Sequence, residues 1–167
     1  MKKLVTIIFT LLTMTGFCLA QDQVEGYWLS IDDQTGEVTA GWRIYQEGGR
    51  LYGMILSMTA YSKDVLAEYC RDSYQGFPIA GRVNQMPVVG TPWIFGLTRN
   101  RNGEWSGGSI INPEDGRMYR CRIIFRPADG RRFNTDTLEV RGEIGLGIGS
   151  SQFWQKTDRQ TAESLGP

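Results

Sequence analysis

The chemistry available to this chain is limited first by the absence of histidine from its 167 residues. Histidine is the side chain that titrates near neutral pH and the commonest metal ligand, so Ser-His-Asp and Cys-His mechanisms are excluded. The carboxylate pairs Asp32-Asp33 and Glu114-Asp115 remain. Both fall in predicted turns, where acidic side chains ordinarily accept backbone hydrogen bonds. The sequence offers no recognisable catalytic constellation, so we predict a non-enzymatic protein with no metal or cofactor.

Five tryptophans, each on a predicted strand, offer binding chemistry instead. Strand alternation places Trp28 on the same face as Gly26 and Ser30. Aromatic rings beside small residues either fill a barrel as its core or line a cavity for an apolar ligand, and the sequence leaves both open. The candidate lining residues are Trp28, Trp42, Tyr52, Met54, Trp93, Trp105, Tyr119 and Trp154.

The aromatic residues are positioned by eight runs of β-forming residues. Turn signals such as Glu47-Gly48-Gly49-Arg50 separate these runs. Consecutive hairpins of this kind predict an all-β domain of about eight antiparallel strands, arranged as an up-and-down barrel or a sandwich. The predicted strands are 24–31, 38–46, 51–58, 93–99, 104–112, 117–126, 136–144 and 151–157.

Residues 59–92 interrupt the hairpins, because neither the strand nor the helix pattern persists there. A short helix fits 62–70, with Ser62 as its N-cap and Val65 and Leu66 on one side. Long connections in compact domains are often functional. The sequence leaves open whether this one is a structural crossover or a binding lid.

The first twenty residues have the pattern of a secretory signal peptide. Two lysines precede an apolar run over 4–12, and small residues stand before a cleavage site after Ala20. The run is shorter than the roughly 20 residues that a membrane helix needs. We predict export to the periplasm or the medium, with a single domain over 21–167 and no membrane span in it. Lipidation at Cys18 is the alternative.

The charge of the chain indicates no polyanionic partner, because 18 basic and 18 acidic side chains balance. We therefore expect no nucleic-acid partner. No protein partner is indicated either.

Cys70 and Cys121 are the two cysteines after the predicted signal peptide. An oxidising compartment permits a disulfide between them, and two separate thiols are the alternative. A bridge requires Cα atoms within about 7 Å. The sequence alone does not decide between the two states.

Several segments together resemble the exported bacterial proteins grouped as domain of unknown function 2147. The likeness rests on Val-Glu-Gly-Tyr-Trp at 24–28, Gly-Arg-Leu-Tyr-Gly-Met-Ile at 49–55, the Trp-Ser-Gly-Gly block and Pro-Glu-Asp-Gly turn within 103–119, Leu-Glu-Val-Arg-Gly at 138–142 and Gln-Phe-Trp at 152–154. The resemblance implies a lipocalin-like or streptavidin-like barrel and no established activity. The family often has Cys-x-x-Cys in the long connection, whereas Cys70 is followed here by Ser73. That departure favours Cys70–Cys121 pairing or plain thiols.

The aromatic strands and the export signal together favour a binding protein that holds a small hydrophobic ligand inside the barrel. The alternative is an envelope structural or protein-interaction module with a solid barrel core. The two hypotheses differ in whether the interior contains a cavity.

Overall fold

The computed structural model describes residues 21–145 and 148–167. The predicted signal peptide, its cleavage site and Cys18 lie outside them. Within the described residues the chain forms a closed antiparallel barrel with its strands in sequence order. The strands are β1 Gly26–Ile31, β2 Val38–Glu47, β3 Arg50–Met58, β4 Pro92–Arg101, β5 Glu104–Asn112, β6 Arg117–Arg126, β7 Thr137–Ile144 and β8 Ile148–Thr157. The predicted all-β, lipocalin-like barrel is confirmed, and the sandwich is not formed.

The barrel closes where β1 pairs with β8, through pairs such as Trp28 with Lys156. Closure satisfies both edge strands, which would otherwise present unpaired backbone groups. The β2–β3 hairpin shows how local chemistry fixes the register. Gly48 and Gly49 have φ values of +56° and +75°, as a tight two-residue turn requires. This turn sets Glu47 opposite Arg50.

The connection from β3 to β4 does not contain the predicted helix at 62–70. Its backbone groups bond across the connection instead, since Ala67 N–H donates to the Met86 carbonyl and Val88 N–H to the Val65 carbonyl. These bonds hold residues 65–67 extended beside 86–88, so the helical prediction is wrong. A short 3₁₀ turn forms further along, at Val83–Gln85.

A short C-terminal helix, α1 Arg159–Glu163, which was not predicted from the sequence, packs on β1, β2 and β3. The Asp158 side chain caps its N-terminus by accepting from Thr161 N–H. The Ala162 carbonyl accepts from the Ser57 hydroxyl at 2.6 Å. No helix in the described part of the chain is long and apolar enough to cross a bilayer.

The eight-stranded arrangement gives the barrel two different ends. The turns at 48–49 and 102–103 and the loop at 127–136 lie at what we call the closed end. The connections at 32–37, at 59–91 and at 113–116 lie at the opposite end, which we call the open end. The adjoining ends of β7 and β8, Ile144 and Ile148, lie there too. Each strand crosses from one end to the other. We call the half of the barrel next to the closed end the lower half and the half next to the open end the upper half.

Candidate ligand-binding cavity

Trp28 plugs the closed end of the barrel. Its side chain is fully buried, and its indole N–H donates to the Val24 carbonyl at 3.0 Å. The Lys156 ammonium lies 4.3 Å from the centre of the Trp28 ring and donates to the Glu25 carbonyl at 3.0 Å. The Phe125 ring packs against the same indole in a T-shaped arrangement, with ring centroids 6.4 Å apart. A cation over the ring and a bonded N–H hold the plug in one orientation.

Above Trp28, large side chains fill the lower half of the interior. Each of them is 1 % exposed or less, and they come from five different strands. They are Leu51, Leu97, Trp105, Ile123 and Leu138. This layer is a packed core, and it forms the floor of the space above it.

The upper half of the barrel contains a cavity of about 610 Å³ that opens at the open end. Its wall is mainly aromatic and aliphatic, and polar side chains are concentrated towards the mouth, the opening of the cavity. The apolar wall includes Trp42, Ile55, Ile110, Tyr119, Val140 and Trp154. The polar lining includes Ser30, Asp32, Asn112, Glu114, Ser150 and Gln152.

Trp42 and Trp154 form a stacked pair on the cavity wall, with ring centroids 4.6 Å apart and planes inclined by 28°. The Trp42 indole N–H donates to the Ser30 hydroxyl at 3.2 Å. The Trp154 indole N–H donates to the Gln152 side-chain oxygen at 3.1 Å. Both polar N–H groups are therefore satisfied within the protein, and the pair offers its apolar surface to the cavity.

The mouth combines acidic groups with exposed apolar side chains. Asp32 accepts backbone N–H bonds from Gln34 and Thr35, each at 2.8 Å, and these bonds hold the pKa of Asp32 below its ordinary value. Ile144 and Ile148 are 66 % and 71 % exposed at the adjoining ends of β7 and β8. The mouth therefore presents both carboxylates and apolar side chains to a molecule that enters the cavity.

Of the predicted lining residues, Trp42, Tyr119 and Trp154 contact the cavity. Trp28 and Trp105 face the interior but lie in the packed lower half. The structure therefore divides the interior aromatics between the cavity wall and the core.

The predicted lining positions of Tyr52 and Met54 are wrong, because both side chains lie on the outer surface of the barrel. Tyr52 stacks on Tyr45, its partner on β2, with ring centroids 5.7 Å apart. The interior position between Tyr52 and Met54 is Gly53, where an added Cβ would contact Ile44 at 2.8 Å. The sequence contains a signal for the outward position of Tyr52 and Met54. The Gly48–Gly49 turn fixes the β2–β3 register, and the register decides which residues of β3 face the interior.

The predicted lining position of Trp93 is also wrong. Its neighbour Ile94 faces inward, packing near Gly53, so alternation turns Trp93 outward. The long connection buries it there: the indole N–H donates to the Val88 carbonyl at 2.7 Å, and Phe77 lies 6.1 Å from its ring. The connection is therefore a structural cover for the outer face of β4.

Strand alternation placed Ser30 on the face of Trp28, but the sequence did not single out the other small interior residues that leave the cavity open. Ser30, Ala40, Gly142 and Ser150 all line it. A Cβ added at Gly142 would lie 3.5 Å from the Tyr119 Cβ, which is ordinary contact. The available signal was the alternation on β7, where Gly142 follows Val140 on the face opposite the charged residues.

The disulfide considered for Cys70 and Cys121 is not formed, and both cysteines are buried free thiols. Cys70 packs at the β5–β6 turn, where a Cβ added to Gly116 would lie 3.0 Å from its Cα. Cys121 lies five residues after Gly116, which corresponds to a distance of about 16 Å at the rise of a strand. The two Cα atoms are therefore too far apart for a bridge.

We expect both thiols to resist Ellman's reagent in the folded protein spanning 21–167. Burial raises the pKa of Cys70 and of Cys121, and the thiolate is the reactive form. In guanidinium chloride the same preparation should release two equivalents of thionitrobenzoate without prior reduction. A preparation that yields no free thiol when unfolded has a disulfide and contradicts this assignment.

Comparison with known proteins agrees with this architecture. A family model described as uncharacterized protein conserved in bacteria (DUF2147) matches residues 26–156, from the first residue of β1 to Lys156 on β8. The chain belongs to the DUF2147 family. A search of curated proteins finds no match for this DUF2147 chain.

The DUF2147 barrel is also similar to a solved structure, protein HP1028 from the human pathogen Helicobacter pylori, which is described as belonging to the lipocalin family. The similarity has a TM-score of 0.63 at 14 % sequence identity, and it covers 84 % of this chain and 87 % of that one. At this identity the likeness concerns the fold, which it identifies as lipocalin-like.

Proposed function

We propose that this protein is an exported, non-enzymatic carrier that holds a small, largely apolar molecule in the upper half of its barrel. The observation that carries the proposal is the cavity of about 610 Å³ with an aromatic wall and a few polar groups near its mouth. Small-molecule sites in proteins typically occupy about 300–1,000 Å³ and have this composition. Export is part of the proposal on the strength of the N-terminal pattern.

The cavity arises from the choice of side chains on interior strand positions. Barrels of eight strands have interiors just wide enough for side chains to fill. In the lower half large side chains do so, whereas Ser30, Ala40, Gly142 and Ser150 leave the upper half open. A solid core, as the alternative of a structural or protein-interaction module requires, is therefore present only in the lower half.

The proposal predicts that Gly142→Phe weakens binding of a neutral apolar probe while the barrel still folds. A Cβ at Gly142 meets only ordinary contacts, so the added ring has to extend into the cavity and take up ligand space. We expect N-phenyl-1-naphthylamine to gain fluorescence on binding the unmodified protein. Gly142→Phe should weaken that binding by at least about tenfold, or about 1.4 kcal/mol.

Gly142→Ala is the matched control, because it makes the same backbone change and adds only one methyl group. It should keep probe binding within about twofold, since one methyl group displaces little of the cavity. Circular dichroism and urea unfolding establish that both variants fold. Equal probe binding by Gly142→Phe and the unmodified protein would place the probe elsewhere and contradict the proposal.

A further inference from the structure

The mouth of the cavity carries carboxylates on two opposite sides. Asp32 lies in the β1–β2 connection and Glu114 in the β5–β6 connection, and both line the cavity. In a closed ring of eight strands in sequence order, these two connections are four strands apart. A ligand that enters the cavity therefore passes between the two acidic groups.

Within the described lining of the cavity, no positive charge balances these carboxylates. Among the described residues that line it, none is lysine or arginine. On the outer face of the sheet, Arg122 pairs with Glu104 at 2.7 Å. At the open end, Arg117 lies 3.9 Å from Asp115, and it is not among the residues that line the cavity. Lys156 faces inward, but it lies beside Trp28 below the floor. Among the described residues that line the cavity, the charged ones are therefore the carboxylates Asp32 and Glu114.

We propose that the cavity selects amphiphiles by the charge of their polar end, binding cationic ones most tightly, neutral ones next and carboxylates such as fatty acids least. This inference rests on the proposed carrier function. A positive end gains attraction from Asp32 and Glu114, and aromatic rings on the wall also favour cations. A carboxylate would meet two like charges and would lose hydration without finding a cationic partner.

Three probes with the same apolar chain test the selection: dodecyltrimethylammonium, 1-dodecanol and laurate. Each is titrated below its aggregation concentration into the protein with bound N-phenyl-1-naphthylamine, and displacement is followed at low ionic strength. We expect dodecyltrimethylammonium to bind at least about tenfold more tightly than laurate, with 1-dodecanol between them. Raising the salt concentration should reduce this ratio by screening the carboxylates.

Asp32→Asn combined with Glu114→Gln should lower the ratio of cation to laurate affinity several-fold and leave 1-dodecanol binding unchanged. The side-chain oxygen of the asparagine that replaces Asp32 can still accept the two backbone bonds made there. Asp129→Asn is the matched control. Asp129 likewise accepts backbone N–H bonds in a loop, at 2.8 Å from Arg131 and from Arg132, but at the closed end. Its replacement should leave the ratio unchanged.

The outcomes separate this inference from the function on which it rests. Laurate binding as tightly as dodecyltrimethylammonium, or a ratio that the double variant leaves unchanged, overturns the charge selection and keeps the carrier function. Failure of all three probes and of N-phenyl-1-naphthylamine to bind overturns the carrier function as well.

Discussion

Replacement of Trp28 by alanine is expected to lower the free energy of unfolding by about 3–5 kcal/mol. The indole is fully buried at the closed end, where it packs against Phe125 and lies beneath the Lys156 ammonium. Its removal leaves a void and also takes the hydrogen bond from the Val24 carbonyl. An unpaired buried carbonyl adds its own cost to that of the void. Urea unfolding followed by circular dichroism measures the change.

Trp42→Ala is the comparison that separates the effect of removing Trp28 from the packed closed end from the effect of removing any buried tryptophan. Trp42 is also buried, but one side of it borders a cavity that exists already. Truncation there enlarges a space instead of creating a sealed one, so we expect a smaller loss of about 2 kcal/mol. If Trp42→Ala costs as much as Trp28→Ala or more, the distinction between a packed lower half and an open upper half is wrong.

Replacement of Gly41 by alanine is expected to destabilise the protein by about 1–3 kcal/mol through the C-terminal helix α1. A Cβ at Gly41 would overlap the carbonyl group of Ala162, whose carbon would lie only 2.6 Å away. These are backbone atoms, so no side-chain rotation relieves the contact. The helix has to move outward, which breaks the bond from the Ser57 hydroxyl to the Ala162 carbonyl.

A chain that ends after Thr157 provides the test of this mechanism. It lacks α1, so Gly41→Ala in that background should change the free energy of unfolding by no more than about 0.5 kcal/mol, as for an ordinary surface position. The four chains form a double-mutant cycle, measured by urea unfolding. An equal loss in both backgrounds would assign the effect to the β2 backbone and not to α1.

The strands of this fold could be read from the sequence because their signals are local. Alternation and turn chemistry, such as Gly48-Gly49 between β2 and β3, act within a few residues and mark where each hairpin reverses. The β1–β8 closure is not local. It was predicted from the number of strands and the family resemblance, and the structure shows it as pairing of Tyr27 with Thr157.

The long connection could not be read in the same way, because distant backbone partners decide its conformation. Ala67 is helix-compatible by itself, but its N–H bonds to Met86, 19 positions away. The outward position of Trp93 depends on the same connection, which supplies the apolar cover from Phe77 and Val88. A tryptophan on a strand indicates burial, and only the tertiary structure shows on which side of the sheet.

The candidate site was recognised in part. The sequence indicated its aromatic wall through Trp42, Tyr119 and Trp154, but it did not indicate its size. Size depends on positions where a side chain is small, such as Gly142, and small residues also occur for reasons of packing and turn geometry. The boundary between core and cavity therefore depends on the side chains at all interior positions together and not on any local pattern.

The bond from Gly103 N–H to the Asp22 carboxylate has a consequence for how the barrel is attached to a surface. It fixes the chain at Asp22 to the closed end, opposite the mouth. If the protein is lipidated at Cys18 instead of cleaved after Ala20, the four Cα–Cα steps from Cys18 to Asp22 span at most about 14 Å. The membrane would then adjoin the closed end and the mouth would face the aqueous compartment. Such a tethered carrier would exchange its cargo with partners in solution and not with the bilayer that anchors it.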